Sequence, residues 1–128
     1  MGQNPLSQPR EAKQFYDDLR TAWERALEEV AFADVVMRHR DHIKGKDLVR
    51  VSALTEQDCQ TWANNFRKCS GYVAAHDESR GRNRAMPEPD ALLRDVETLN
   101  TWVRDLKARQ QAVQIRSAGT PPIAAVGE

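Results

Sequence analysis

The sequence predicts an all-α protein: a three-helix bundle with a long N-terminal helix, a shorter middle helix and a heptad-patterned C-terminal helix. Three observations carry that expectation. Apolar residues recur at steps of three and four in three separate stretches, the stretches are divided by breaks that carry Gly or Pro, and each stretch holds one of the tryptophans Trp23, Trp62 and Trp102. A chain of 128 residues has room for one domain with one modest core. Three amphipathic faces closing on the indole rings make the simplest arrangement that covers them all.

The first helix is predicted over residues 10–39. Phe15, Leu19, Ala22, Ala26, Val30, Ala33 and Met37 form one stripe, which Tyr16, Trp23 and Leu27 widen, while Asp17, Asp18, Arg20, Glu24, Arg25, Glu28 and Glu29 occupy the opposite face. Residues 1–9, with Pro5 and Pro9, are too poor in apolar groups to fold and read as a disordered leader. The helix is expected to weaken after Arg40, where Asp41, His42, Lys44, Gly45 and Lys46 carry no apolar period. Leu48, Val49 and Val51 then form a connector pinned to the core, because a lone strand would have nothing to pair with.

Thr55-Glu56-Gln57-Asp58 announces the second helix: Thr55 can cap the free amides of the first turn, and Glu56 and Asp58 complement the helix dipole. Cys59, Trp62, Ala63, Phe66 and Cys69 follow as its buried stripe, with Trp62 expected at the centre of the core. Gly71 ends the helix, or the apolar spacing of Tyr72 and Val73 carries it on to Ala75. His76 and Asp77 are expected to close it structurally, bonding to freed carbonyls and to Arg80 or Arg82, ahead of a loop that lasts to Pro89. The third helix starts near Asp90, and Leu92, Val96, Leu99, Val103, Leu106, Gln110 and Val113 give it a heptad seam. The single helical domain then spans residues 10–116, and residues 117–128, with Gly119, Pro121 and Pro122, read as a disordered tail. The seam is longer than the second helix can cover. Its distal end at Leu106, Gln110 and Val113 is therefore expected to project as a docking surface, or to drive self-association.

Several function classes are disfavoured by what the residues cannot assemble. Acidic and basic residues balance at 19 each, so no global field draws the chain to nucleic acid or to a membrane surface. Two local clusters remain as candidate phosphate contacts: Arg38, Arg40, Lys44 and Lys46, flanked by Arg50, and Arg80, Arg82 and Arg84, neither interleaved with aromatic rings that would stack on bases. Cys59, Cys69 and His76 lack the paired spacing of a zinc site, and His39 and His42 lack a third ligand. Gly45-Lys46-Asp47 has neither the earlier glycine nor the following hydroxyl of a phosphate loop, and no serine or cysteine sits in a nucleophile motif. The expectation is a chain with no enzyme activity, cofactor or metal. Two cysteines cannot form a disulfide framework, and no long apolar run is present, so the chain reads as a cytoplasmic protein with reduced thiols and no membrane segment.

Leu19-Arg20 followed by Ala22-Trp23-Glu24-Arg25, Glu28-Glu29-Val30, Val35-Val36 and Arg38 resembles the start of the C-terminal helical extension of large bacterial AAA-family ATPases of the SMC-like, RloC-like kind. The resemblance continues in the same order through Thr55-Glu56, Asp58-Cys59, Lys68-Cys69-Ser70, His76-Asp77, Pro87-Glu88-Pro89-Asp90 and Trp102-Val103, and spans residues 15–109. In that family the extension follows an ATPase head that holds the phosphate loop, signature and acidic motifs, none of which occurs here. What the resemblance implies is a non-catalytic interaction or structural module that docks on an ATPase head domain or another protein, in DNA or RNA transactions or phage defence. The alternative is a small nucleic-acid-binding helical module that uses the two basic clusters.

Overall fold

The computed structural model describes residues 9–78 and 88–119. Every regular element among them is helical: α1 (Pro9–Ala26), continued by a π turn (Leu27–Ala31), a 3-10 turn (Gly45–Asp47), α2 (Leu48–Val51), α3 (Glu56–Glu78) and α4 (Pro89–Ala118). The all-α class and the bundle are as the periodicity predicts. The expected leader falls almost wholly outside the described residues, as do residues 120–128 of the expected tail; Ser117 and Ala118 still belong to α4.

The first helix ends well before residue 39. At the π turn the Phe32 amide bonds to the Leu27 carbonyl five residues back (2.9 Å), which widens the last turn. Ala33 and Asp34 then take left-handed backbone, with φ of 49° and 61°, while the Ala33 amide bonds to the Val30 carbonyl and the Asp34 amide to that of Glu28. The result is a Schellman-type closure made without glycine, in which each left-handed residue costs about 1 kcal/mol or more. The apolar period runs on through Ala33 and Met37 although the helix has ended, and Ala33 and Val35 are buried on non-helical backbone. The predicted connector at Leu48–Val51 is itself one turn of helix, reached through the 3-10 turn.

Thr55 caps α3 as predicted, and the bond is reciprocal. The Asp58 amide donates to Thr55 Oγ1 (3.0 Å), and the Thr55 amide donates to the Asp58 carboxylate (2.8 Å), a capping box with aspartate in the role usually taken by glutamate. Gly71 does not stop the helix, which passes through it to Glu78 and takes in His76 and Asp77, whose side chains lie outside the described residues. A Cβ placed on Gly71 meets nothing within 4 Å. Gly71→Ala is therefore expected to stabilise the protein by about 0.5–1 kcal/mol, seen as a rise of roughly 4 °C in melting midpoint. A fall on substitution would show that the backbone at Gly71 is held in a shape alanine cannot take.

The core gathers Tyr16, Leu19, Trp23, Ala26, Val30 and Ala31 from the first helix and its π turn, Ala53, Cys69 and Val73, and Leu92, Leu99, Trp102 and Leu106 from α4. Trp23 is fully buried and meets Trp102 edge-on at 5.4 Å. Trp62 is only partly buried, contrary to its expected place at the centre: it stacks on Phe66 at 4.7 Å at the edge of the core and donates its indole N–H to the Trp23 carbonyl (2.8 Å). Backbones approach closely between α1 and α3, and between α4 and the α2 and π-turn segments. Across α3 and α4, by contrast, long side chains do the joining.

Candidate functional site

Helix α4, the last of the three that the periodicity predicts, buries a wider face than its heptad seam. Leu92, Leu99 and Leu106 are buried as expected, but beside them runs a second column at the same seven-residue interval: Asp95, Trp102 and Arg109. Each member ties α4 to the rest of the bundle. The Asp95 carboxylate, 7% exposed, accepts from the Tyr16 hydroxyl on α1 and from Lys68 Nζ on α3, both at 2.7 Å. The Trp102 indole donates to the Asp58 carbonyl (3.1 Å). The Arg109 guanidinium makes a two-pronged contact with Asp58 at 2.8 and 2.7 Å and a third bond to the Ala53 carbonyl.

These contacts set the proton affinities. Burial alone would raise the Asp58 carboxyl, but bonds from Arg109 and from the Thr55 amide and hydroxyl outweigh it and hold the group below its ordinary value of 3.8. The bond to Asp58 raises Arg109 in turn. Burial, reinforced by the bond to Asp95 and its negative charge, pushes the Tyr16 hydroxyl well above its usual range. Cys69 is buried and raised to about 11, mainly by desolvation, which keeps it a thiol. Cys59 is exposed on the same helix, and no group of three or more metal-ligating side chains is assembled among the described residues.

The expected docking surface at the end of the seam takes a different form. Leu106 is 0% and Gln110 1% exposed, and only Val113 remains partly open. The covering surface comes from α2 and the π turn and not from α3, so the length of α3 does not limit the seam. Gln110 is buried for a reason that lies elsewhere in the chain. Its amide donates to the Val30 carbonyl, giving a second bond to an oxygen that already accepts from the Ala33 amide at the end of the first helix. Leu106 and Gln110 are interior residues, and neither can form an outer docking face.

The first basic cluster is largely engaged internally. Arg38 pairs with Glu28 across the helix end, Arg40 Nε donates to the His42 carbonyl (3.3 Å), Lys44 pairs with Asp47 (3.3 Å), and Lys46 is exposed. The backbone amide and side chain of Arg38 hold the Glu28 carboxyl below its ordinary value. Arg80, Arg82 and Arg84 lie outside the described residues.

Besides a concavity of about 530 Å³ that Asp58, Trp102 and Arg109 line, two others have apolar floors among the described residues. One is a groove of about 630 Å³ between α1 and α4, floored by Ala22, Ala26, Val30, Leu99 and Val103 and rimmed by charges of both signs, among them Arg25, Glu29, Arg104 and Lys107. The other is a smaller, apolar socket of about 280 Å³ where the first helix unwinds, lined by Leu27, Phe32, Val36 and Trp62, with Glu24, Glu28 and Arg38 at its mouth. Among the described residues no helix is long and apolar enough to cross a membrane. Compared with protein families, curated proteins and solved structures, the chain matches none of them.

Sequence reasoning missed the column at Asp95 and Arg109 because a carboxylate and a guanidinium read as solvated. The signal available was their seven-residue spacing on either side of Trp102. The socket left none, because it exists only where the helix departs from its period.

Proposed function

We propose that the protein is a non-catalytic helical interaction module, which docks on the head domain of an SMC-like AAA-family ATPase in the manner that its resemblance implies. What supports this is the groove between α1 and α4. An apolar floor two helices wide, edged by charges of both signs, is the shape that receives the apolar face of an amphipathic helix. The buried ionic side chains Asp58 and Asp95 are meanwhile taken up by bonds within the bundle, a structural use that suits a scaffold.

The test is co-elution with the head domain of an SMC-like ATPase from the same cell, using wild type and Val103→Glu, which places a charge on the partly exposed groove floor. Wild type should form a complex and Val103→Glu should lose it while its melting midpoint stays within a few degrees. Random duplex DNA bound with a steep salt slope, and no complex with the head, would establish the nucleic-acid module in its place.

A further inference from the structure

The geometry points to a specific anchor site in the socket at the end of the first helix: we propose that it takes one bulky apolar side chain of a partner segment that carries a lysine or arginine beside that residue. The proposal rests on the interaction-module reading and supplies the chemistry of the segment that such a module would hold.

Three independent features meet there. The walls are Leu27, Phe32, Val36 and Trp62, almost wholly apolar, and Val36 stays 51% exposed although its neighbours Val35 and Ala33 are buried. A cavity of about 280 Å³ is at or below the lower edge of small-molecule sites, which begin near about 300 Å³, and suits a single side chain better than a cofactor. The socket is also built by unusual backbone. The π turn places Leu27, and the left-handed pair Ala33 and Asp34 turns the chain so that Phe32 and Val36 line the opening together with Trp62. π turns and left-handed non-glycine residues concentrate at functional sites, since ordinary helix would be easier to form. The third feature is charge. At the mouth Arg38 is matched by Glu28, whereas Glu24 forms no ion pair or hydrogen bond with any described residue, so the rim keeps one unmatched negative charge. A cation next to the apolar anchor meets it.

Trp62 supplies the readout, because it lines the socket and its indole N–H is held by the Trp23 carbonyl. The probes are the capped tripeptides Lys-Phe-Lys and Glu-Phe-Glu, titrated into ¹⁵N-labelled protein, with the Trp62 indole signal assigned through Trp62→Phe. Lys-Phe-Lys should move the Trp62 signal and leave that of Trp102 in place, and it should bind up to about fivefold more tightly than Glu-Phe-Glu, the range of an exposed charge pair. Glu24→Gln should remove that preference while binding persists. Val36→Glu should abolish binding by both peptides, with an unchanged melting midpoint because the position is half open. Equal binding of the two peptides by wild type, a preference that survives Glu24→Gln, a response that survives Val36→Glu, or no movement of Trp62 would each overturn the proposal. Failure here with a Val103-dependent head complex would leave the module intact and remove only the socket. Success here without that complex would remove the ATPase partner and keep the socket.

Discussion

Trp23→Ala is expected to destabilise the protein by about 3–5 kcal/mol, the usual loss for a large aromatic removed from a core. Total stabilities of small domains run from about 5 to 15 kcal/mol, so the variant should be marginal or unfolded at 37 °C. The reason is specific to the site. Trp23 is fully buried and its ring is the edge-on partner of Trp102, so its loss opens a cavity in the core between α1 and α4. Trp62→Ala removes a stacked, partly exposed ring and one hydrogen bond, and should cost distinctly less. Urea denaturation of both variants decides it. Equal losses would restore Trp62 to the central place that its position in the sequence suggests.

Asp58→Ala is the second large effect, expected at about 3 kcal/mol: the loss of a helix cap, near 1 kcal/mol, adds to that of a charge pair broken at a site open enough to soften the penalty. One carboxylate closes the capping box with Thr55 and holds Arg109, which without it still has its bond to the Ala53 carbonyl and the nearby charge of Asp105. Arg109→Lys tests the fork apart from the charge and should recover only part of the loss. The same group predicts a pH dependence. Its carboxyl is depressed in the folded state, so the stability it contributes is fully present above the ordinary value of 3.8 and drains away as the pH falls through the lower folded value. In Asp58→Ala the acid limb of stability below pH 3.8 should therefore be shallower than in wild type. Limbs of equal slope would mean that Asp58 ionises in the folded chain as it does in the unfolded one.

The helices were legible wherever burial and periodicity coincide. Leu92, Leu99 and Leu106 announce one side of α4 correctly, and Thr55 marks the start of α3 because capping is a local bond between neighbours. What could not be read depends on contacts remote in sequence. Asp95 is buried because Tyr16 and Lys68 come to it, and nothing near residue 95 signals either. The first helix stops at Ala31 although the apolar steps continue, since Ala33 and Asp34 enter the left-handed region without the glycine that usually marks such a turn. Gly71 misleads in the opposite direction: tertiary packing of the stripe from Cys69 to Val73 overrides the weak preference of one residue.

The bonds that hold α4 also bear on how the chain finds its fold. Tyr16 reaches its partner across 79 residues, Gln110 reaches Val30 across 80, and Arg109 and Trp102 reach Asp58 across 51 and 44. Each closure is entropically unfavourable before any contact rewards it, so these bonds are expected to form late in folding. Helices α1 and α3, which approach most closely, are expected to pair before α4 docks on them. Substitutions in the Asp95–Trp102–Arg109 column should then speed unfolding and leave the folding rate nearly unchanged, because the bonds they remove form after the barrier is crossed.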